Sequence, residues 1–218
     1  LYDEQTDAVR LMSIHKSKGL EFPVVIVAGM GKWFNIQDTT ASVVIHPDLG
    51  LGIDAIDLER RTKSPTLLTK VIQNEIGLEN LGEELRVLYV ALTRAKEKLI
   101  LTGTVKDFEK AFLKWGSTAD CDTEILPASR LRRAKSYLDW VMPAYLRHPA
   151  RERLAAEWED VLPKQCVFSA EASAWRLSCV TKDEALQETA QEQKTAEEQR
   201  DFFAAWESPA EMTEERQA

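Results

Sequence analysis

The sequence contains no phosphate-binding loop, because none of its nine glycines stands in a G-x-x-x-x-G-K-[ST] pattern. Only three cysteines are present, and Cys121, Cys166 and Cys179 form no C-x-x-C pair. A zinc site and a disulfide framework are therefore both unsupported. The three histidines fit neither H-x-H nor H-E-x-x-H, so we expect no metal site. By itself, the chain does not have the parts of a phosphate-loop ATPase.

Long apolar runs are also absent. No segment approaches the roughly 18 consecutive apolar residues of a membrane helix, and no signal peptide is present. We therefore expect a cytoplasmic protein with no membrane partner. The chain begins at Leu1, close to an expected strand and without a methionine, so we expect it to be a piece of a larger protein.

Acidic residues exceed basic ones by 36 to 28, but the excess is concentrated at one end. Residues 182–218 hold 4 Lys/Arg and 11 Asp/Glu, a net charge of −7 out of −8 for the whole chain. Residues 130–153 instead hold 7 Lys/Arg and 2 Asp/Glu. The net charge therefore does not exclude DNA binding. The basic run Arg130, Arg132, Arg133 and Lys135 suits a phosphate backbone, an acidic partner or a solvated helix face equally well.

Two polar segments adjoin predicted strands. Residues 13–23 read SIHKSKGLEFP and lead into the aliphatic run 24–28, while residues 83–98 read EELRVLYVALTRAKEK and lead into 99–102. Open α/β sheets place their ligand chemistry at strand ends. These two segments are therefore the candidate functional region.

The hydrophobic pattern predicts an α/β protein. Val24–Val27 has the continuous aliphatic character of a strand buried in a parallel sheet. The predicted strands are Val9–Ile14, Val24–Val27, Ser42–His46 with Leu51–Asp54 as its hairpin partner, Leu99–Thr102 and Ala174–Val180. A short helical turn is predicted over Ser17–Phe22.

Helical periodicity covers most of the remaining chain. One helix is predicted from Pro65 to Glu79, capped by Ser64 or Thr62, with a break near Gly82. The next helix carries Leu81, Leu85, Leu88 and Leu92 as one buried stripe. Further helices are predicted over 107–115, 129–147, 150–161 and 182–206, with a frayed end at 208–218.

The segments LMSIHKSKGLEFPVVIVAGM and EELRVLYVALTRAKEKLILTG resemble motifs V and VI of superfamily 1 helicases of the UvrD/Rep kind. Among these helicases, the sequences of the two segments are most similar to the AddA-type helicase–nucleases of AddAB, and RecB is a more distant relative. The likeness covers residues 9–104, and RAKSYLDWVMPAYLRHP at 133–149 suits the segment that leads toward the nuclease.

The resemblance implies an α/β fold: a partial RecA-like (P-loop NTPase-like) parallel sheet with flanking helices, followed by a mainly helical extension. Residues 1–118 would be the C-terminal part of the second RecA-like domain. Residues 119–207 would form the helical linker region toward the nuclease domain, and 208–218 a disordered end.

The resemblance also implies a nucleotide site shared with another lobe. Arg94 matches the arginine that reaches the γ-phosphate, where a guanidinium forks onto phosphate oxygens and stays charged. Glu21 matches the residue whose carboxylate accepts the ribose hydroxyls, and Gly19 gives the tight turn before it. Outside these motifs, Arg94 would be interpreted as a helix-end cap and Glu21 as a helix N-terminal residue.

DNA contacts are implied for Ser13, His15 and Lys18, which suit successive phosphates of a single strand. Trp33, and Phe34 beside it, could stack on bases or pack on their own domain. The alternative for His15 is a structural hydrogen bond. Glu84 and Arg86 are expected to support the site, as an ion pair that orients Arg94 or nearby loops, and Tyr89 is expected in the core.

The implied function is that of a fragment of an ATP-dependent DNA helicase/exonuclease subunit in double-strand break repair by homologous recombination. It would act on single-stranded DNA and double-stranded DNA ends, as a heterodimer with an AddB-like subunit. ATP and Mg²⁺ would serve the full-length protein, and the fragment alone would bind neither and be inactive. The nuclease domain would lie beyond Ala218.

Three alternatives remain open from the sequence. One is a UvrD/Rep-like helicase without a nuclease, which residues 105–206 disfavour. The second is a helicase-like scaffold that has lost catalysis. The third is a plain α/β interaction module whose motifs are relics.

Overall fold

The computed structural model describes residues 8–121, 123–154, 162, 167, 173–187, 189, 191 and 193. The chain divides into two compact units, Leu1–Ser173 and Ala174–Ala218. The predicted boundaries at residues 118 and 207 stay a prediction.

The first unit mixes strands and helices. Its strands are β1 (Phe22–Val27), β2 (Val43–His46), β3 (Gly50–Ile53), β4 (Ala55–Asp57), β5 (Thr62–Ser64) and β6 (Ala95–Leu101). Its α-helices are α1 (Leu67–Leu92), α2 (Phe108–Ala119), α3 (Ala128–Leu131) and α4 (Leu138–Leu146). Three short 3-10 helices cover Ile14–Ser17, Gln37–Thr39 and Pro149–Leu154. The α/β class is confirmed.

The functional segments meet in a parallel pair of strands. β1 and β6 pair from Phe22–Ala95 to Val27–Leu101. The register shifts between Phe22 and Val24, around Pro23, which has no N–H to give to the ladder. Val27 is buried, but Val24 and Ile26 are 50% and 62% exposed, so the prediction of a strand buried on both faces was wrong. Val25, Leu99 and Leu101 pack against the core cluster instead.

The predicted strand at Val9–Ile14 is not formed. Residues 8–13 have no regular structure, and Val9 and Leu11 are fully exposed. A strand needs a neighbour that satisfies its backbone N–H and C=O groups. Within the described part of the chain, no strand pairs with this segment. The predicted turn at 17–22 is likewise shifted to the 3-10 helix Ile14–Ser17.

Helix α1 is one continuous helix, not the two that were predicted. It begins after Thr66, whose hydroxyl accepts from the Thr69 N–H, and it runs through Gly82 without a break. A helical glycine costs only about 1 kcal/mol, which packing elsewhere along the helix can offset. The predicted leucine stripe is also only partly buried: Leu88 is 5% exposed, but Leu85 and Leu92 are 44% and 36% exposed.

The predicted hairpin is confirmed. β2 and β3 pair antiparallel from Val43–Ile53 to His46–Gly50. Buried His46 fixes the turn, because its Nδ1 accepts from the backbone N–H groups of Asp48 and Leu49. The Nε2 of the same ring lies 3.4 Å from Glu79 on α1, which joins the hairpin to the helix.

The predicted helix over 129–147 is broken into α3 and α4. The segment between them is held by the loop after β1: the Phe34 N–H donates to the Lys135 carbonyl (2.8 Å), and the Leu138 N–H donates to the Met30 carbonyl (3.1 Å). The apolar residues whose spacing predicted one helix are therefore buried although the chain between α3 and α4 is not helical. The resulting core comprises Val27, Met30, Leu88, Ala91, Ala134 and Trp140.

Asp139 joins α2 to α4, and its protonation is expected to weaken the fold. Its carboxylate accepts from Lys114 Nζ (2.7 Å), Trp115 Nε1 (2.9 Å) and the Lys135 N–H (2.7 Å). Burial acts to raise the pKa of Asp139, but these hydrogen bonds outweigh it and hold the pKa below 3.8. The stabilisation is therefore present above about pH 4 and is lost as the pH falls toward the folded-state pKa.

We expect Asp139→Asn to lower the free energy of unfolding at pH 7 by about 1–3 kcal/mol. The free energy of unfolding should also decrease less between pH 7 and pH 3 in this variant than in the wild type. Urea titrations across pH 3–7 would measure both effects. Lys114→Met is the control that removes the ion pair alone and should cost less. An unchanged acid profile in Asp139→Asn would contradict the assignment.

In the second unit, a short helix begins after Thr181. The Thr181 N–H and hydroxyl both donate to the Glu184 carboxylate, and the Glu184 N–H donates back to that hydroxyl, which forms a capping box. Residues 182–187 are helical, as predicted. Residues 174–180 show no strand, so that prediction was wrong. The predicted end at 208–218 and most of 150–161 lie outside the described residues.

Candidate functional site

Arg94 lies just beyond the C-terminus of α1, where the helix turns into β6. Its Nε donates to the Val90 carbonyl (3.0 Å), Nη1 to the Leu20 carbonyl (2.8 Å) and Nη2 to the Thr93 hydroxyl (3.0 Å). The guanidinium is thus a helix cap and also a bridge to the segment before β1. Three of its five N–H groups are used, and the other two have no hydrogen-bond partner among the described residues.

Glu21 is the immediate neighbour of this bridge. The Leu20 carbonyl accepts from Arg94, and the Phe22 N–H donates to the Arg94 carbonyl (2.9 Å), so Glu21 is held between two backbone contacts with Arg94. Its side chain is 59% exposed and lies 3.4 Å from Lys96 Nζ. Gly19, at φ +83°, makes the turn that precedes it, a conformation that favours glycine. One fixed arginine and one accessible carboxylate therefore share a surface.

Both groups lie at the amino ends of the parallel strands. Glu21 precedes β1 and Arg94 precedes β6. The two polar segments therefore lie at strand ends as predicted, but at the amino ends, whereas open α/β sheets hold their own ligands at the carboxyl ends of strands.

The motif V side chains lie at the same edge. Ser13 caps the 3-10 helix Ile14–Ser17 and accepts from the Lys16 N–H. Ser17 is buried and donates to the Ile14 carbonyl (2.7 Å), which keeps the turn rigid. His15 and Lys18 are exposed on that turn. A hydroxyl, an imidazole and an ammonium therefore lie in or beside one short turn that precedes Glu21 in the chain.

Trp33 is separated from these residues. It follows the carboxyl end of β1, whose six residues place it roughly 20 Å from the turn Ile14–Ser17. Trp33 is 74% exposed, whereas Phe34 packs against Tyr137 and Trp140 with ring centroids 5.1 Å apart in each pair. The predicted DNA-binding residues therefore fall into two groups at opposite edges of the sheet.

Glu84 and Arg86 do not pair with each other, so the predicted ion pair between them is not formed. Arg86 pairs with Glu83 (2.8 Å), and Glu84 accepts a hydrogen bond from the Tyr137 hydroxyl. Burial and this hydrogen bond raise the pKa of Tyr137. Tyr89 is 69% exposed, so its predicted place in the core was wrong. Glu84 instead joins α1 to the segment before α4.

Two functional candidates were missed by sequence reasoning. Lys96 received no role from the sequence, yet it pairs with Glu21 across the parallel strands, where Phe22 lies opposite Ala95. Lys135 was part of an undifferentiated basic run, yet its Nζ lies 5.4 Å from the centre of the Trp33 ring. Neither contact has a local sequence signal, because both depend on pairing between distant segments.

The described residues contain no cluster of three or more His, Cys, Asp or Glu side chains able to hold a metal ion. Among those same residues, no helix is both long and apolar enough to cross a membrane.

Comparison with known proteins identifies relatives of both motif segments. Residues 2–106 match the UvrD-like helicase C-terminal domain. A Clostridium kluyveri protein, named as the A subunit of an ATP-dependent helicase/nuclease, is 43% identical over 187 residues, covering 83% of this chain and 14% of that protein.

Proteins of the same name show higher identity over a shorter stretch. The Ruminiclostridium cellulolyticum protein is 50% identical over 145 residues, covering 66% of this chain and 12% of that protein. The Lachnoclostridium phytofermentans protein is 56% identical over 143 residues, covering 66% of this chain and 10% of that protein. The chain thus spans a small part of the length of these relatives.

Proposed function

We propose that this chain, whose residues 2–106 match the UvrD-like helicase C-terminal domain, completes the ATP site of a DNA motor whose phosphate loop is on another lobe. The observation that carries the proposal is the contact between Arg94 and the backbone on either side of Glu21. It fixes the two groups at one edge of the sheet, where both can reach the same nucleotide.

Each group has a distinct role in the proposal. The Arg94 guanidinium contacts the γ-phosphate and stabilises the negative charge that develops during phosphoryl transfer. The Glu21 carboxylate accepts the ribose hydroxyls. The sequence has no phosphate-loop pattern, and the described residues include no carboxylate cluster able to hold a metal ion. ATP and Mg²⁺ are therefore bound mainly by other parts of the protein.

Ser13, His15 and Lys18 are proposed to contact phosphates of single-stranded DNA. They share the rigid turn that ends at Gly19, two residues before Glu21. A nucleotide-dependent movement of Glu21 would therefore be passed to the DNA contacts through a short, hydrogen-bonded segment. This arrangement would couple the nucleotide state to the grip on the strand.

For the whole protein we propose an ATP-dependent helicase/nuclease that processes double-stranded DNA ends for recombinational repair. The relatives' name supports the helicase and nuclease activities in this proposal. Because that name describes one lettered subunit of an enzyme, it also implies at least one other, here proposed to be AddB-like. The proposed setting is the cytoplasm, where ATP and chromosomal DNA are both present in bacteria.

The alternative of a helicase without a nuclease is less well supported. The helicase domain match ends at residue 106, yet the similarity to the C. kluyveri helicase/nuclease protein covers 83% of this chain. The likeness therefore continues well past the motor region.

We expect Glu21→Gln in the intact protein to raise the KM for ATP roughly 10-fold, with little change in kcat. The reason is that a carboxylate–hydroxyl hydrogen bond contributes about 1.5–3 kcal/mol, while the γ-phosphate contacts are untouched. Steady-state ATPase kinetics with saturating single-stranded DNA would measure it.

Glu97→Gln is the matched control, because Glu97 is an exposed acid on β6. The specific readout is a 2′,3′-dideoxy ATP analogue, for which wild type and Glu21→Gln should have the same KM. A penalty that persists with the analogue would show that Glu21 does not bind the sugar.

A further inference from the structure

An open groove of about 770 Å³ lies beside the carboxyl end of β1. One side of it carries Trp33, Arg132, Arg133 and Lys135, a set we call the basic–aromatic wall. Trp33 is 74% exposed, and the Lys135 ammonium lies over its ring at 5.4 Å from the ring centre. An aromatic face and three cations are therefore presented together on an accessible surface.

The basic–aromatic wall is held in place by the fold. The Phe34 N–H donates to the Lys135 carbonyl (2.8 Å). Phe34 is the neighbour of Trp33 in the chain, so this bond joins the backbone beside Trp33 to that of Lys135. Phe34 itself is anchored against Tyr137 and Trp140. Trp33 and Lys135 are thus pre-positioned, which lowers the entropic cost of binding a ligand there.

The unneutralised charge of the groove is mainly positive. On the opposite wall, Glu83 is paired with Arg86 (2.8 Å), and Glu84 accepts from the Tyr137 hydroxyl. Arg132 and Arg133 are exposed, and within the described residues neither guanidinium has a hydrogen-bond or ion-pair partner. Glu84 keeps its charge, because the hydroxyl that donates to it is neutral, and Asp38, which also lines the groove, is exposed and has no ion-pair partner among the described residues. Three cations therefore face two unpaired acids, and two arginines remain available for an anion.

We propose that this groove binds single-stranded nucleic acid, with a base stacked on Trp33 and phosphates paired with Arg132, Arg133 and Lys135. The rest of the groove offers amide groups that can hydrogen-bond to base edges, from Asn35, Gln73, Asn74 and Asn80. The inference rests on the proposed function in taking DNA as the ligand of the intact protein. It adds a second contact, at the sheet edge opposite Ser13, His15 and Lys18.

An acidic protein segment is the competing ligand for the three cations. It gains nothing specific from the exposed indole face or from the amides of the groove. A nucleic acid strand uses all three features, because it carries anions and flat bases at regular intervals. The test therefore separates stacking from charge.

The test measures binding of a fluorescein-labelled oligothymidylate to the 218-residue chain by anisotropy over a range of salt concentrations. Trp33→Ala should weaken binding roughly 5- to 150-fold and leave the salt dependence unchanged, because it removes stacking alone. Arg132→Ala/Arg133→Ala should reduce the slope of log K against log salt by about 1.4, or about 0.7 for each phosphate contact.

Matched controls remove the same chemistry elsewhere. Tyr89→Ala deletes an exposed aromatic of α1 that does not line the groove. Arg60→Ala/Lys110→Ala deletes two cations that are both 84% exposed and also outside it. Both controls should keep the wild-type affinity and slope.

Three outcomes would overturn the proposal. The first is that the oligothymidylate does not bind. The second is that the groove variants behave like their controls. The third is that polyglutamate binds in place of DNA with a dependence on Arg132 and Arg133 alone, which would identify an acidic protein ligand.

Failure of this inference is distinguishable from failure of the proposed function. If the groove variants behave as expected but Glu21→Gln and Arg94→Ala leave ATP turnover unchanged in the intact protein, the groove binds nucleic acid and the motor assignment is wrong. The opposite pattern would leave the motor assignment intact and reject the groove.

Discussion

Arg94→Ala in the intact protein is expected to lower kcat for DNA-stimulated ATP hydrolysis about 10³- to 10⁵-fold, the largest functional effect that this chain can produce. The loss corresponds to about 4–7 kcal/mol of transition-state stabilisation. Binding of ATP should change far less, because the arginine acts most strongly on charge that develops during the reaction.

The structural role of Arg94 demands a careful control. Its three hydrogen bonds cap α1 and join it to the segment before β1, so alanine also removes local support. Arg94→Lys keeps the positive charge but loses the forked geometry, and we expect it to remain severely impaired. Arg60→Ala, at an exposed turn, is the arginine control that should retain full turnover.

Two measurements separate catalysis from support. Binding of a fluorescent ATP analogue should be within a few-fold of wild type for Arg94→Ala, and the melting temperature should fall only slightly. Reduced nucleotide binding together with a proportionate loss of stability would identify a purely structural arginine. A kcat within a few-fold of wild type would reject the motor assignment outright.

The parts of the fold that local sequence determines were predicted well. The hairpin of β2 and β3 follows from two β-rich runs separated by Pro47, Asp48 and Gly50, and its pairing needs no distant residue. The aliphatic run of β1 is long enough to be a strand in any context. The start of α1 was placed within two residues, because Pro65 suits the first turn of a helix, but the predicted cap at Ser64 or Thr62 was wrong, since Thr66 caps the helix.

The errors arose where distant contacts decide the local structure. Periodicity predicted one helix over 129–147, but backbone hydrogen bonds to the loop after β1 hold Lys135 in the connection between α3 and α4 and fix Leu138 at the start of α4. Gly82 predicted a break that the packing of a long helix overrides. Val9–Ile14 has the pattern of a strand, yet a strand also needs a neighbour, which no single-segment pattern supplies.

The candidate site was predictable in identity but not in geometry. The motifs single out Arg94 and Glu21, but only the parallel pairing of β1 with β6 shows that they share the amino edge. Trp33 was recognised as a candidate contact, while its separation from Ser13, His15 and Lys18 follows from the direction of β1. The pairing of Lys135 with Trp33 depends on backbone hydrogen bonds between distant segments.

Gly31→Ala is expected to destabilise the chain by about 4 kcal/mol, an effect large for a single methyl group. A Cβ at residue 31 would overlap the carbonyl oxygen of Thr104 and lie 3.0 Å from its carbonyl carbon and 3.1 Å from its N. These are backbone atoms, so they cannot turn away as a side chain could. To remove the overlap, the loops that follow β1 and β6 would have to separate. The hydrogen bond from the Met30 N–H to the Thr102 carbonyl (2.9 Å) opposes that separation.

Gly82→Ala is the matched control, because it adds the same methyl group where nothing lies within 4 Å. In the middle of a continuous α1 it should stabilise the chain by up to about 1 kcal/mol. Thermal unfolding followed by circular dichroism should therefore show melting temperatures that move in opposite directions, down by roughly 8–16 °C for Gly31→Ala and up by a few degrees for Gly82→Ala.

Equal melting temperatures for Gly31→Ala and wild type would mean that the two loops do not approach. A destabilised Gly82→Ala would mean that the helix is broken there, as the sequence pattern suggests. Because Gly31 is two residues from Trp33, a loop displaced by Gly31→Ala should also lose the stacking contact, so the same variant links the packing of this edge to its binding surface.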